Sequence, residues 1–240
     1  MKPYPYSLSI VMPVFNEAEV IASVVDDFAA VAEKFERSEF IIVNDKSTDA
    51  TLSILEKLKT RYPFLRIIIH KKNKGHGPAL FLAFQKAKGD FIFHCDSDNQ
   101  FKAQDFWLLW EEMRLHDKDL VIGYRAKRND PFARLVLTRL TRFFIFLISG
   151  YWLYDSNSPF RLWKRQPLNS VLPLIPAHPL VPSILMLMVA RKLGFDIGWV
   201  RVIHLPRLTG KSFFRSWKIF KICFPAVKEV LLFRLILLRL

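Results

Sequence analysis

The 240-residue chain has only two cysteines, Cys95 and Cys223, and no Cys-x-x-Cys pair. That excludes a disulfide framework and a cysteine zinc site, and it fits a reducing compartment. Clean membrane-spanning runs are also missing. Val171 to Ala190 is uncharged but carries Pro173, Pro176, Pro179 and Pro182. Those prolines predict a loop and then a buried helix from about Val181 to Lys192. Val230 to Leu240 is strongly apolar, but it is short and interrupted by Arg234, whereas crossing a bilayer takes about 20 residues. The first residues, MKPYPYSLS, lack an apolar stretch, so no signal peptide is expected. The sequence has no internal repeat and no low-complexity linker.

Acidic residues are in deficit. Against 36 Lys and Arg stand 22 Asp and Glu, for a net charge of +14. Hydrophobic residues make up 51% of the chain, with 22 Phe and 6 Trp. Together these point to an anionic partner: a membrane surface, nucleic acid or a phosphorylated substrate. No nucleic-acid readout motif accompanies the charge, so nucleic acid is not expected as a partner. The length suits one sizeable α/β domain, or a domain with an appendage.

Along the first half, short apolar runs alternate with helical spacing. Strands are expected at Leu8 to Val14, Phe40 to Val43, Leu65 to Ile69, Phe91 to Cys95 and Leu120 to Gly123. Helices are expected at Ala18 to Phe35, from a cap at Ser47 or Thr48 to Tyr62, at Ala79 to Lys88 and at Phe106 to Leu115. Such alternation predicts a doubly wound, mainly parallel sheet. Ligands bind such sheets beyond the carboxyl ends of the strands. Asn16, Glu17, Asp45, Asp96 and Asp98 all fall at those ends.

The most telling stretch is Phe91 to Gln100, FIFHCDSDNQ. Two carboxylates at i and i+2 on a strand end point the same way. Like charges so placed repel one another, and a hard divalent cation shared with a phosphate ligand resolves the repulsion. His94 and Cys95 read as core strand residues. Asp45, ending the second strand, can accept from a base N–H or a ribose hydroxyl, or cap the following helix. The glycines of Lys74-Gly75-His76-Gly77 let backbone approach a ligand closely and can present amides to phosphate at a helix start.

After Gly123 the character changes. Arg125, Lys127, Arg128, Arg134, Arg139 and Arg142 interleave with apolar residues. Arginine forks match phosphate oxygens. From Phe213, helical spacing would line up Phe213, Trp217, Phe220 and Phe224 beside a stripe of Arg215, Lys218 and Lys221. That is the pattern of a helix lying on an anionic bilayer.

Seven segments occur in order: SIVMPVFNE, VNDKSTD, NKGHGPA, CDSDNQ, VIGYR, DSNSPFR and HLPRLTGKS. Together they resemble the family 2 inverting glycosyltransferases of the GT-A fold, in the dolichol-phosphate mannose synthase and polyprenyl-phosphate glycosyltransferase branch. The resemblance covers roughly residues 8 to 212. It implies a nucleotide-binding role for Pro13, Phe15, Asn16, Glu17, Asp45 and Gly75, and a metal site of Asp96, Asp98 and Gln100 taking Mg²⁺ or Mn²⁺. By the same resemblance, Asp98 and Gln100 bind the metal directly and Asp96 helps with the ribose or the metal. It implies phosphate contacts from Arg125, and from His204, Arg207 and Lys211 in a segment that closes over the donor. In relatives with alcohol acceptors the acid matching Asp155 is the general base. A phosphate acceptor needs little deprotonation, so Asp155 can instead orient an arginine. Two departures stand out: Pro78 where alanine is usual, and Pro159 where the family has glycine.

The expectation is an α/β, GT-A catalytic domain over residues 1–212, followed by amphipathic, membrane-interface helices over 213–240. It would move a sugar from a nucleotide-diphosphate donor to a polyprenyl phosphate with inversion, using Asp98, Arg125 and Asp155. It would act at the cytoplasmic face of a membrane, as a peripheral or monotopic protein drawn to an anionic surface and capable of forming a homo-oligomer. Two other readings remain: the same fold acting on a hydroxyl acceptor with Asp155 as base, and a non-catalytic nucleotide-sugar binding protein.

Overall fold

The computed structural model describes residues 3–125, 155–206 and 218–238. Among them, seven strands form one sheet: β1 (Tyr4–Val14), β2 (Phe35–Asn44), β3 (Leu65–Ile69), β4 (Phe91–His94), β5 (Leu120–Arg125), β6 (Arg161–Lys164) and β7 (Ile197–Val202). Among the described residues, seven α-helices accompany them: α1 (Ile21–Ala32), α2 (Thr51–Arg61), α3 (His76–Lys86), α4 (Phe106–Leu115), α5 (Arg165–Val171), α6 (Pro182–Lys192) and α7 (Lys218–Leu237). The strand order is β3-β2-β1-β4-β6-β5-β7. β1 lies parallel between β2 and β4, β3 extends β2 in parallel, and β7 runs parallel to β5.

The expected doubly wound sheet is therefore present, with two strands beyond the five expected, β6 and β7. β6 is antiparallel to both β4 and β5, pairing His94 with Arg161 and Ile122 with Arg161. Arg161-Leu162-Trp163-Lys164 carries a charge at each end, and its apolar centre is only two residues long. Its strand state comes from the two neighbours it joins, so the chain's own pattern does not announce it.

β1 is buried continuously from Leu8 to Val14, as a central strand covered on both faces must be. Alternation along it separates two apolar layers. Ile10 and Met12 join Phe28, Phe93, Trp110 and Phe160 on one face. Val11 joins Phe84, Trp163, Leu187 and Phe233 on the other. Much of the aromatic surplus sits in the first layer. Trp110 meets Phe91 at 4.8 Å and Phe35 at 5.0 Å, both edge to face, a preferred aromatic arrangement.

Boundaries shift where side chains found tertiary partners. Neither Ser47 nor Thr48 caps α2, which starts after Ala50 with no side-chain cap. Their hydroxyls serve Asn16 instead. Asp49 carries out the helix-start role, its Oδ1 accepting from the Thr51 amide at 3.0 Å and the Thr51 hydroxyl at 2.5 Å. The helix expected over Ala79 to Lys88 begins earlier, at His76, and ends at Lys86. Gly89 then presses on β1, where a Cβ would run into the Ser9 amide.

α6 matches the helix expected after the proline-rich loop. Its N-terminus is capped from α7: the Glu229 carboxylate accepts from the Leu180 and Val181 amides, each at 3.0 Å. α7 buries Val230, Phe233 and Leu237 against the second layer. No helix among the described residues is long and apolar enough to cross a membrane.

The loop beneath α6 rests on Gly77. A Cβ at this position would collide with the Pro179 and Leu180 carbonyl oxygens. Because the obstacle is backbone, Gly77→Ala is expected to cost roughly 2–3 kcal/mol, the upper part of the overpacking range. A urea midpoint with unchanged slope would register it.

Candidate active site

The carboxyl ends of β1, β2 and β4 converge, and the turns that follow hold the polar residues. Three non-glycine residues there have left-handed backbone: Asn16 (φ 54°), Lys46 (φ 61°) and Asn99 (φ 57°). Such conformations cost free energy and cluster at functional turns. Asn16 ties the first turn to the second. Its amide donates to Ser47 Oγ at 3.0 Å, and the Thr48 amide donates to its Oδ1 at 2.8 Å. Pro13 is buried at the end of β1, while Phe15 beyond it is 43% exposed, an aromatic surface beside the turns. The Glu17 amide donates to Thr51 Oγ1 at 2.9 Å.

Asp45 is buried and already engaged. Its Oδ1 meets His70 Nδ1 at 2.6 Å and accepts from the Lys74 amide at 2.9 Å, and its Oδ2 accepts from the Gly75 amide at 2.7 Å. The Lys74 and Gly75 amides, expected to face a phosphate, are donated to Asp45 instead. Asp45 thus clamps the basic loop, and Gly75 makes the bend at φ 92°, a conformation glycine adopts at no steric cost. A carboxylate offers about four lone-pair positions, so a donor contact would share oxygens already in use.

The clamped loop delivers His76 to the end of β4. Its Nε2 lies 3.0 Å from Asp96 Oδ1. His94 Nε2 lies 3.5 Å from the same oxygen. Burial alone would raise the Asp96 carboxyl, but the charge and the hydrogen bond of His76 beside it hold it well below the usual carboxylate range. His94 is wholly buried, and that burial pushes its imidazole down to about 4, so it is neutral. His94 was expected to be a core strand residue. It is one, and it also borders the site.

Beyond Asp96, the turn is stitched to a distant segment. Ser97 Oγ donates to the Pro13 carbonyl at 3.1 Å, and the Gln100 amide to Asp98 Oδ1 at 3.2 Å. Gln100 Nε2 donates to the Leu205 carbonyl at 2.9 Å, and the Leu205 amide donates to the Gln100 carbonyl at 2.8 Å. Phe101 pairs with His204, their rings 5.1 Å apart. His204 is therefore brought beside the acidic turn as the motif order implies, while Arg207 and Lys211 lie outside the described residues. The oxygens of Asp96, Asp98 and Gln100, all in this one turn, are hard donors of the kind that Mg²⁺ or Mn²⁺ takes.

At the end of β5, Arg125 and Asp155 form a two-pronged pair. Arg125 Nε donates to Oδ2 and Nη2 to Oδ1, both at 2.8 Å, and the Arg125 amide donates to Oδ2 at 3.3 Å. The two side chains are only 14% and 4% exposed. Ser158 Oγ donates to the Gly123 carbonyl, holding the Asp155 turn against β5.

Arg161 stands between the two acidic centres. Its guanidinium is buried and donates to three carbonyls: Ser158 at 2.7 Å, Ser183 at 2.6 Å and Ser156 at 2.5 Å. Burial pushes it down to about 10, with Asp155 and Asp96 opposing that shift. Three residues here escaped the sequence reading in these roles: His76, His94 and Arg161. For His94 a signal existed, since i and i+2 on a strand share a face. His76 needed the tertiary fold.

The profile of glycosyl transferase family 2 matches residues 9–172. The chain belongs to glycosyl transferase family 2. Among curated family relatives, a dodecaprenyl-phosphate galacturonate synthase from Rhizobium johnstonii is 28% identical over 218 residues, covering 90% of this chain and 64% of the relative. A prophage bactoprenol glucosyl transferase homolog from Escherichia coli is 29% identical over 229 residues, covering 92% of this chain and 71% of the relative. The chain thus spans about two thirds of the length of these relatives. Among solved structures, glucosyl-3-phosphoglycerate synthase from Mycobacterium tuberculosis, in complex with Mn²⁺, UDP-glucose and phosphoglyceric acid, superposes with a TM-score of 0.67 at 20% identity. That match covers 95% of this chain and 79% of the synthase. The family-2 domain thus has the GT-A fold that its seven motifs imply.

Proposed function

We propose that this chain transfers a sugar from a nucleotide-diphosphate donor to a polyprenyl phosphate, with inversion, at the cytoplasmic face of a membrane. The observation that carries the choice of acceptor is the Arg125–Asp155 pair. The acid that would serve as base toward an alcohol has both oxygens committed to a guanidinium. A carboxylate so held is a weak base, whereas a phosphate acceptor arrives already anionic. The names of two curated relatives, a dodecaprenyl-phosphate and a bactoprenol transferase, agree with this choice.

In this reading, Asp98, Gln100 and Asp96 hold a divalent cation. A divalent cation held there would supply charge neutralisation for the donor diphosphate as leaving group. Asp155 fixes the plane of Arg125 at the end of β5, and Arg125 orients the acceptor phosphate. An acceptor phosphate oxygen attacks C1 of the sugar from the side opposite the diphosphate. The new bond forms there as the C1–oxygen bond to the diphosphate breaks, and the nucleoside diphosphate departs. His204 borders the donor diphosphate beside Gln100. The test is a screen of purified protein with Mn²⁺, a panel of nucleotide sugars and a short polyprenyl phosphate. One donor should give a lipid-linked sugar, and EDTA should abolish its formation. Transfer surviving EDTA, with metal-free buffers, would remove the metal from the scheme.

The membrane part of the proposal rests on α7. While Val230, Phe233 and Leu237 pack inward, Val227, Leu231, Leu232, Leu235, Ile236 and Leu238 are each between 41% and 64% exposed. Such an apolar outer face on a basic chain suits a helix lying in a bilayer interface. Of the aromatic face expected further upstream, Phe213 and Trp217 lie outside the described residues. Because α7 also closes the core, deleting it would damage the fold, so point changes on its outer face are the better test. Leu231→Glu combined with Leu235→Glu should weaken binding to anionic vesicles at least tenfold, since a buried leucine contributes roughly 1.5–3 kcal/mol. Thermal stability should be unchanged. Equal sedimentation of this variant and the parent chain would place the anchor elsewhere.

A further inference from the structure

We infer that His76, His94 and Asp96 form a second metal site, one that takes an imidazole-preferring transition ion such as Zn²⁺ and that blocks the donor site when filled. Asp96 Oδ1 lies 3.0 Å from His76 Nε2 and 3.5 Å from His94 Nε2, and all three donor atoms fall within 4.8 Å of one another. Ligand atoms around a tetrahedral zinc ion, at about 2.0–2.1 Å from the metal, stand about 3.3–3.4 Å apart. The two Asp96 distances already bracket that value. The remaining His–His gap can close by movement of His76, whose side chain is 57% exposed.

The independent sign of a ligand is His94. It is wholly buried, and neither ring nitrogen has a hydrogen-bond partner. Leaving a buried polar group unsatisfied costs about 1–3 kcal/mol, and a native structure gives such a group a reason. Its Nε2 faces the oxygen that His76 also faces. Two imidazoles and one carboxylate make a softer set than the all-oxygen Asp98 and Gln100 ligands. Imidazole suits zinc, while carboxylate and carbonyl suit magnesium and manganese. Three protein ligands also leave a fourth position open to water or a phosphate oxygen.

The site and the donor centre share Asp96. An ion held by the two histidines draws that carboxylate away from the donor, so zinc occupancy should inhibit transfer. This inhibitory half rests on the proposed function; the binding half does not. The experiment is a zinc titration of the metal-free full chain against a chromophoric chelator, with Mg²⁺ as control. One Zn²⁺ per chain should bind. His76→Ala, at the exposed rim, should weaken it by more than the roughly 10–100-fold that loss of an outer-shell partner costs. Asp98→Asn should leave zinc affinity within a few-fold of the parent. His94→Leu, which keeps apolar burial, should weaken zinc as His76→Ala does, and Co²⁺ in the parent should show the absorption of a tetrahedral nitrogen–oxygen site. Zinc affinity unchanged in His76→Ala, or lost in Asp98→Asn, would overturn the site. In transfer assays, zinc inhibition should follow the occupancy measured with the chelator, and His76→Ala should shift the inhibitory concentration upward by the same factor. Stoichiometric zinc binding without inhibition would overturn the inhibitory half. The binding readout needs neither donor nor acceptor, so its failure is distinct from failure of the transferase reading.

Discussion

Asp98→Ala should lower sugar transfer by about 10³-fold, or ~4 kcal/mol at 1.36 kcal/mol per decade. A cation at a developing diphosphate charge supplies several kcal/mol, and Asp98 is the carboxylate whose position the turn itself sets. Asn99, in left-handed backbone, brings the Gln100 amide back to Asp98 Oδ1, while the Gln100 side-chain amide donates to the Leu205 carbonyl and its own carbonyl accepts from the Leu205 amide. The variant should fold normally, because Asp98 lies at a strand end outside both apolar layers. Circular dichroism and the melting temperature should stay near those of the parent. Donor binding measured by calorimetry should lose its dependence on Mn²⁺. Full activity of Asp98→Ala would show that the cation, if any, sits elsewhere.

Arg125→Ala should reduce transfer to a phosphate acceptor by roughly 10²-fold or more, since one or two charge-assisted hydrogen bonds contribute about 1.5–3 kcal/mol each. It also takes the two-pronged partner from Asp155, whose side chain is 4% exposed. Breaking a buried pair costs about 3–5 kcal/mol, so stability should fall as well. Arg125→Lys separates the two effects. It keeps the charge and loses the planar fork, so acceptor kcat/KM should drop at least about tenfold while the melting temperature moves little. Asp155→Asn should lose less than the 10²- to 10⁴-fold typical of a missing general base, and the loss should appear mainly in the acceptor KM. A loss across that full range in kcat would instead make Asp155 a base.

The first half of the chain was legible because its strands are buried on both faces. Runs such as Leu8 to Val14 and Phe40 to Val43 can hardly be anything else, and the acidic turns that end them fall where a parallel sheet exposes its ligand edge. The pairing of Asn16 with Ser47 and Thr48 was not legible. Those hydroxyls are good helix caps by sequence, and only the approach of the first turn redirected them. β6 was hidden for a different reason. Arg161 is almost never a core residue by type, yet here it is 1% exposed with three backbone carbonyls on its guanidinium. The tie between Arg125 and Asp155 was open to sequence reading only as one of two roles for the acid. Its geometry favours the orienting role. His76 reaches Asp96 from 20 residues upstream because Asp45 clamps the loop between, a contact no spacing rule encodes.

These features bear on a single question, the nature of the acceptor. The direct measurement is an acceptor competition at fixed donor and Mn²⁺, in which purified full chain is offered a short polyprenyl phosphate, the matching polyprenol and a glycan alcohol. The anomeric configuration of the product is read by NMR. The expected result is a glycosyl phosphate formed only on the polyprenyl phosphate, with the configuration at C1 opposite to that of the donor and with no requirement for an ionised base as pH falls toward 6. Preferential glycosylation of either alcohol, or retention at C1, would contradict it.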